Sequence, residues 1–356
     1  MLHHHPLAPL TTLELGGPAG SFVEAADEQT VIAALGWAKT HGLGVLPLGG
    51  GSNLVVGDAG FPGLVLRIGL RGVFYEAGDD ITLVRAQAGE PWDALVSDTV
   101  DRGLAGLECL SGIPGLVGAT PIQNVGAYGQ EVAETIRVVR VVDRRSLQVS
   151  ELSPERCAFS YRDSAFKRDP DRWVVLAVTF ALRTDGTAGV RYRELEQALA
   201  ARAARPASAP SLAAVRDAVL ALRRGKSMVL DPADPNRRSV GSFFVNPIVP
   251  VAEADRLVAR LLTENVVADA AEVPRFPAGP DRIKLSAGWL IERAGLCKGL
   301  RRGAVGISSR HALALVHHGG GTTAQLLALA DEVRVTVAAR FGVTLVREPV
   351  VVGVAP

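Results

Sequence analysis

An uncharged run of glycines and prolines near the middle of the chain constrains its structure more than any other segment. From Gly112 to Gly129 the sequence reads GIPGLVGATPIQNVGAYG, with five glycines and two prolines. Glycine tolerates positive φ and lets backbone N–H groups approach an anion, while proline fixes φ in advance. Gln123 and Asn124 add amides that suit hydrogen bonds to a ligand. We therefore predict a pre-shaped ligand-binding loop; the alternative is a tight buried turn.

A second glycine loop precedes this run. Leu46 to Leu54 reads LPLGGGSNL, in which three consecutive glycines are followed by a hydroxyl and an amide. Neither loop carries the dinucleotide fingerprint G-x-G-x-x-G or the Gly-Lys-Ser/Thr of a Walker loop. Two glycine loops of different design favour one long diphosphate ligand that is held from two sides.

Composition limits the class of protein. The 356 residues are 48% hydrophobic and 21% charged, which is typical of a soluble globular protein of two or three domains. The net charge of +1 argues against bulk binding of nucleic acid or of a membrane surface. Cys109, Cys157 and Cys297 show no Cys-x-x-Cys spacing, so we predict neither a disulfide framework nor a metal site. We expect a reducing cytoplasm, with no export and no membrane-spanning segment.

Apolar periodicity predicts the main elements. The histidines at positions 3–5 are expected to form a flexible terminal triplet without a role. Residues 206–211 have the composition of a linker. The predicted helices are Asp27–His41, Pro91–Gly103, Leu212–Arg224 and Thr322–Phe341, and the predicted strands are Leu64–Ile68, Ile136–Val142, Val174–Leu182 and Val343–Val354.

Six motifs in a fixed order carry a resemblance to a known family. They are the two glycine loops, Tyr161–Lys167, Gly241–Pro247, Lys284–Glu292 and Leu345–Glu348. Together they resemble the UDP-N-acetylenolpyruvoylglucosamine reductases, flavoenzymes of bacterial cell-wall precursor synthesis, over residues 13–353. The resemblance implies an α+β fold, with an FAD-binding domain of the vanillyl-alcohol-oxidase (PCMH) type in two α/β subdomains and a C-terminal α+β substrate-binding domain.

The same resemblance implies a domain layout. Residues 1–70, to which residues 344–356 return, form the first FAD-binding subdomain, and residues 71–205 form the second. Residues 212–343 form the domain that binds the UDP-sugar. We expect a cytoplasmic monomer that binds neither nucleic acid nor a membrane.

The implied activity is reduction of the enolpyruvyl ether of UDP-N-acetylglucosamine to UDP-N-acetylmuramate, in peptidoglycan synthesis and thus in cell-wall biogenesis, cell shape and cell division. No side chain donates hydride, so a cofactor is required, and the resemblance implies FAD as the cofactor and NADPH as the co-substrate. Non-covalent FAD is expected because neither loop contains histidine or cysteine. By resemblance, the FAD-binding residues are Pro47, Leu48, Gly49, Gly50, Gly51, Ser52, Asn53, Gly112, Ile113, Pro114, Gly115, Gly118, Ala119, Pro121, Gln123, Asn124, Gly126, Ala127 and Tyr128.

The resemblance also assigns three catalytic residues. Flavin N5 delivers hydride to the β-carbon of the substrate, and Ser242 donates a proton to the α-carbon. Arg162 and Glu348 polarise the substrate carboxylate, with Glu348 expected to be protonated or to bridge Arg162. From the residues alone, other interpretations stay open: a solvated ion-pair face for Arg162, a strand-edge position for Glu348 and a turn hydroxyl for Ser242.

The UDP-sugar is assigned to a second group of residues by resemblance. Cationic side chains in apolar surroundings suit a diphosphate. Among the assigned residues, Tyr192 is the least specific, because a lid over the nucleotide and a residue that merely packs are both consistent with its position. Lys284 is also consistent with a solvated helix start. The family often has a basic residue two positions after its catalytic glutamate, where this chain has Val350. The assigned residues are Tyr192, Lys226, Asn246, Lys284 and Lys298.

Two other functions remain possible at this point. A flavin-linked oxidase or dehydrogenase of the same architecture would share the glycine loops, but such proteins often have a histidine where this chain has Ser52. A nucleotide-sugar-binding protein without chemistry is expected to have lost Arg162, Ser242 or Glu348. All three are present.

Overall fold

The computed structural model describes residues 1–202 and 209–354. Its contacts divide the chain into two compact units. The first unit consists of residues 1–6, 18–52 and 60–231, and the second of residues 7–17, 53–59 and 232–356. Both glycine loops belong to the first unit, apart from the last residues of the earlier loop.

Helices and strands are interspersed along the described chain. None of the described helices combines the length and apolar character needed to cross a membrane. The helices are α1 (Glu28–Thr40), α2 (Trp92–Asp101), α3 (Pro154–Cys157), α4 (Ala165–Arg168), α5 (Arg193–Ala200), α6 (Leu212–Gly225), α7 (Val251–Thr263), α8 (Ala287–Arg293) and α9 (Thr323–Phe341). The strands are β1 (Leu2–Pro6), β2 (Pro18–Ala25), β3 (Val45–Leu48), β4 (Leu54–Val56), β5 (Phe61–Ile68), β6 (Val73–Glu76), β7 (Ile81–Gln87), β8 (Gly126–Ala127), β9 (Gln130–Glu131), β10 (Ile136–Asp143), β11 (Val149–Leu152), β12 (Trp173–Arg183), β13 (Ile248–Pro250), β14 (Arg275–Pro277), β15 (Arg282–Leu285), β16 (Arg301–Arg302), β17 (Val305–Ile307), β18 (Leu315–His317) and β19 (Val350–Val352).

The first unit contains two large sheets. In the sheet of order β1-β2-β5-β3, strands β2, β5 and β3 are parallel and β1 is antiparallel to β2. The sheet of order β11-β10-β12-β7-β6 is antiparallel throughout. Helix α1 buries Val31, Leu35 and Ala38, which confirms the apolar face predicted for it. The first glycine loop follows β3 directly, and the second begins just after a single helical turn at Glu108–Leu110.

The N-terminal histidines are part of the first sheet, and the expected flexible triplet is wrong. They lie in β1, which pairs with β2. The ring of His5 stacks on that of Phe22 with centroids 4.1 Å apart, and His3 Nδ1 lies 3.3 Å from the Gly20 carbonyl oxygen. Three identical polar residues carry no apolar alternation, so periodicity gave no signal for this strand. Within the described ranges, no group of histidine, cysteine and carboxylate side chains forms a metal cluster.

The second unit is built around α9. It contains the sheets β13-β15-β14 and β16-β17-β18 and the parallel pair β4-β19. Thr322 and Gln325 form the predicted capping box of α9, and Gly342 ends the helix at φ 71°. The predicted C-terminal strand is shorter than expected, because only Val350–Val352 of residues 343–354 is a strand.

The predicted domain boundary differs from the division into units. Residues 212–231 were assigned to the substrate-binding domain, but α6 packs against α2 and α5 within the first unit. Val215 and Val219 of α6 share a buried cluster with Leu195 of α5. The predicted linker lies partly on residues 203–208, outside the described residues. Ser211 caps α6 by accepting a hydrogen bond from the Ala214 N–H.

Candidate active site

The two glycine loops touch each other in the first unit. A Cβ added to Gly50 would lie 3.0 Å from the Cα of Gly115, and one added to Gly115 would lie 2.8 Å from Ser52 Oγ. The Ser52 hydroxyl donates to the Pro114 carbonyl oxygen at 3.2 Å. Glycine is therefore favoured on both sides, because a Cβ at Gly50 would press on the Gly115 backbone and Gly115 has a φ of 118°. The structure brings together two segments that the sequence predicted to hold one ligand.

Some loop residues support the loop from within. Asn124 is buried, and its Nδ2 donates to Glu131 Oε2 at 2.7 Å, while its Oδ1 accepts from the Ala133 N–H. A Cβ at Gly118 would lie 2.6 Å from the Ala88 Cβ. The glycine at 118 thus has a packing reason, and the interpretation of the Asn124 amide as a ligand contact does not match its internal hydrogen bonds.

Arg162 is held against the second glycine loop. It occupies a two-residue turn that is closed by backbone hydrogen bonds between Ser160 and Asp163, and its φ of 55° is uncommon for a residue with a side chain. Its Nη2 donates to the Gly126 carbonyl oxygen at 2.5 Å and its Nη1 to that of Asn124 at 3.4 Å. The turn therefore places a permanent positive charge on the predicted ligand loop.

Three predicted residues of the first unit cluster at the end of this loop. The rings of Tyr128 and Tyr192 meet edge to face, with centroids 5.6 Å apart. Lys226 Nζ lies 5.9 Å from the Tyr128 ring centroid and 2.7 Å from Glu194 Oε2. Burial raises the pKa of Tyr128 to about 12, so its phenol is neutral. The sequence did not single out Glu194, which binds the lysine assigned to the diphosphate.

Arg223 is a second candidate that sequence reasoning missed. Its Nη2 donates to the Met228 carbonyl oxygen at 2.7 Å, but its Nε is buried without an acceptor among the described residues. Burial lowers the pKa of the guanidinium, while the nearby Tyr128 and Asp93 raise it. An unmet buried donor favours an electron-rich ligand at this position. The sequence had placed Arg223, with Arg224, only at the end of the predicted helix Leu212–Arg224.

In the second unit, Ser242 and Glu348 belong to adjacent segments. The Glu348 N–H donates to the Phe243 carbonyl oxygen at 2.9 Å, and the Val245 N–H donates to that of Val346. Phe243 is fully buried and fixes the segment, because its own N–H donates to the Leu313 carbonyl oxygen at 2.7 Å. This short antiparallel ladder brings two predicted catalytic residues together from distant parts of the sequence.

The remaining predicted residues of the second unit lie around β15 and α8. Asn246 Oδ1 accepts from the Ala287 N–H at the start of α8, and Lys284 is paired opposite Ile248 in the sheet. Lys298 is exposed and forms an ion pair with Glu292 at 3.2 Å. Asn53, the end of the first glycine loop, also belongs to this unit. The structure thus places Asn246 and Lys284 on neighbouring segments and Lys298 beyond the helix.

Comparison with known proteins identifies the family. Residues 19–149 match an FAD-binding domain, and residues 232–352 match the C-terminal domain of UDP-N-acetylenolpyruvoylglucosamine reductase. Reductases of that name from Streptomyces avermitilis and Thermobifida fusca are each 51% identical; the alignments cover 99% and 98% of this chain and 95% and 97% of theirs. The chain belongs to the UDP-N-acetylenolpyruvoylglucosamine reductase family. A crystal structure of UDP-N-acetylenolpyruvylglucosamine reductase from Thermus caldophilus has a TM-score of 0.66 and 25% identity, over 99% of this chain and 98% of that one.

Membership of the reductase family confirms the predicted fold class and makes the protein an FAD-containing oxidoreductase. It also supports the expected use of NADPH. The residues of the first unit fit FAD on structural grounds. Gly50 and Gly115 allow the two loop backbones to come into contact, and Arg223 offers a buried donor with an unmet hydrogen bond.

Proposed function

We propose that this protein reduces the enolpyruvyl ether of UDP-N-acetylglucosamine to UDP-N-acetylmuramate with NADPH. Identity of 51% to a reductase named for that substrate, over 99% of the chain, carries the proposal. The reaction needs a hydride at the β-carbon, a proton at the α-carbon and stabilisation of charge on the substrate carboxylate. When bound, FAD supplies the hydride transfer from NADPH to the β-carbon.

The two glycine loops hold FAD without a covalent bond in this proposal. Their backbones approach each other at Gly50 and Gly115, and glycine at these positions allows N–H groups close to a diphosphate. Arg223 adds a positive charge with a buried donor at the side of Gly112. We expect acid or heat to release all of the flavin, and flavin retained by the denatured chain would contradict this binding mode.

Ser242 donates the proton to the α-carbon. A serine hydroxyl is a weak acid in water, so its position has to supply most of the effect. Gly241, with φ 74°, precedes it, and the buried Phe243 and Phe244 follow it with rings 5.5 Å apart. This rigid apolar surrounding supports a fixed hydroxyl better than an exposed turn would.

Arg162 and Glu348 act on the substrate carboxylate. The guanidinium of Arg162 is permanently charged and is oriented by two loop carbonyl oxygens, so it is pre-organised for an anion. Glu348 contributes a hydrogen bond to the carboxylate from its protonated form, and its place in the ladder with Phe243 fixes its backbone.

The UDP-sugar contacts are proposed in each unit separately. In the first unit, Lys226 binds the diphosphate and Tyr192 covers the nucleotide. Asn246, Lys284 and Lys298 of the second unit contact the remaining polar groups, with Asn246 placed at the start of α8 by its own hydrogen bond.

The cellular setting follows from this activity. The product is a peptidoglycan precursor, so the protein serves cell-wall biogenesis, cell shape and cell division. We propose a cytoplasmic monomer, and the free thiols of Cys109, Cys157 and Cys297 agree with a reducing compartment. The three-domain layout of residues 1–70 with 344–356, 71–205 and 212–343 is a proposal from the sequence, from which residues 212–231 depart because they belong to the first unit.

The visible spectrum of the purified protein tests the function. We expect bands of oxidised flavin that are bleached by NADPH under anaerobic conditions and restored by the enolpyruvyl UDP-sugar. UDP-N-acetylglucosamine is the matched control, because it lacks the double bond and should leave the flavin reduced. Recovery with both sugars, or with neither, would contradict the proposed reaction.

A further inference from the structure

One carboxylate joins three elements at the start of the second glycine loop. Asp93, in the first turn of α2, accepts a hydrogen bond from the Gly112 N–H at 2.6 Å. The same carboxylate receives both Nη groups of Arg216 on α6, with Nη1 2.6 Å from Oδ1 and Nη2 2.9 Å from Oδ2. Two-point contact of this kind fixes orientation as well as distance. Asp93 therefore ties the loop to two helices.

Gly112 is packed directly on the region around α6. A Cβ at Gly112 would lie 2.7 Å from Leu220 Cδ2 and 3.5 Å from Arg223 Nε, and its φ of 71° suits glycine. Arg216 and Arg223 are seven residues apart, so they lie on the same side of α6 two turns from each other. One side of α6 thus carries both Arg216, which binds Asp93, and Arg223, which has the unmet donor.

The charges in this cluster support each other. Burial raises the pKa of Asp93. This effect is outweighed by hydrogen bonds from Arg216 and Gly112 and by the charges of Arg216 and Arg223, so the pKa lies below its usual value. In return, Asp93 raises the pKa of Arg223 against the opposing effect of burial. The ionised carboxylate thus stabilises both the loop N–H and the buried cation.

We propose that Asp93 and Arg216 are a positioning pair for FAD, which sets the first residue of the glycine loop and holds Arg223 beside it. This inference rests on the proposed role of the loop in FAD binding. The simpler alternative is an ion pair that stabilises α2 against α6 without effect on the cofactor. The two differ in what happens to FAD affinity when the pair is lost.

The chain offers a matched control pair in the same unit. Arg140 of β10 also binds a carboxylate at two points, although through Nε and one Nη: its Nε lies 2.8 Å from Oε1 and its Nη2 2.9 Å from Oε2 of Glu28 on α1. Arg216→Met and Arg140→Met therefore each remove one two-point ion pair and keep a long apolar side chain, and Arg140→Met also removes a 3.9 Å contact with Glu151. They differ in whether the lost pair contacts the glycine loop.

FAD affinity of the apoprotein, measured by quenching of flavin fluorescence, tests the proposal together with thermal unfolding. We expect Arg216→Met to weaken FAD binding about tenfold or more, which corresponds to about 1.4 kcal/mol. Arg140→Met should leave FAD affinity within twofold. It should lower the unfolding temperature of the apoprotein about as much as Arg216→Met does. Arg216→Lys should recover part of the affinity, since it restores the charge but not the fork.

Two outcomes separate the inference from its premise. If Gly115→Val loses FAD but Arg216→Met binds it as tightly as the wild type, the positioning pair is refuted and the loop assignment stands. If Gly115→Val also binds FAD normally, the loop assignment itself fails. Asp93→Asn keeps an acceptor for the Gly112 N–H, so it provides a milder variant should Arg216→Met not fold, and wild-type affinity in Asp93→Asn would likewise overturn the proposal.

Discussion

The first and second units hold their candidate residues in different ways. In the first unit, two loops with glycine at their contact carry the site, and side chains such as Arg162 attach to loop carbonyl oxygens. In the second unit, Ser242 and Glu348 come together through a short ladder beside two buried phenylalanines. The predicted cofactor loops are thus encoded by local residue type, whereas the candidate proton donor depends on pairing between distant segments.

The largest expected effect concerns the loops. Gly115→Val should abolish FAD binding, because its Cβ would lie 2.8 Å from Ser52 Oγ at a φ of 118° that β-branched residues do not adopt. Flavin absorbance of the purified variant measures this. Gly225→Ala is the control in the same unit, since a Cβ there meets no atom within 4 Å. A Gly115→Val protein that keeps its flavin would break the assignment of the loops.

A smaller effect, on catalysis rather than on FAD binding, is expected from a substitution in the second unit. Glu348→Ala should lower kcat by about 10² to 10³, since one hydrogen-bond donor to a developing charge contributes on that scale. Flavin content should stay normal, and the ladder should persist because it uses the backbone of Glu348. Glu348→Gln keeps a donor and should retain more activity than the alanine variant. Equal loss in both variants would argue against hydrogen-bond donation by Glu348.

The smallest expected effect concerns Lys226. Its ammonium is bound to Glu194, a contact that a diphosphate would replace. Glu194→Gln should therefore tighten UDP binding roughly twofold to fivefold, because a half-exposed ion pair is worth about 1 kcal/mol or less. Calorimetric titration with UDP measures the change, and Glu196→Gln on the same helix is the control for charge. Unchanged affinity in Glu194→Gln would show that Lys226 does not exchange Glu194 for phosphate.

Sequence patterns predicted what is periodic or locally constrained. The helices α1 and α9 fall in this class, because apolar stripes and caps act over a few residues, whereas the contact between the glycine loops appears only in the fold. The histidine strand β1 was missed, since its partner strand rather than its own residues determines it. The place of α6 in the first unit was also missed, because amphipathicity does not name the surface that a helix covers.

The candidate site also contains residues whose contacts could not be predicted from the sequence. Arg223 and Glu194 had no motif, and only the fold shows that one has an unmet buried donor and the other binds Lys226. Asn124 was interpreted as a ligand contact because its amide is polar, but its hydrogen bonds are internal. Polarity in a sequence indicates a need for hydrogen bonds, and the partner is a property of the fold.

Stopped-flow absorbance of Ser242→Ala tests most directly whether Ser242 acts only in the half-reaction that reduces the substrate. We expect NADPH to bleach the flavin at a near wild-type rate, because that half-reaction protonates no carbon. Recovery of the flavin absorbance with the enolpyruvyl UDP-sugar should be slower by roughly 10² to 10⁴, the usual contribution of a positioned general acid. Ser242→Cys should restore part of the rate. An alanine variant that recovers at the wild-type rate, or one that is slowed equally in both halves, would contradict the role of Ser242 as the proton donor.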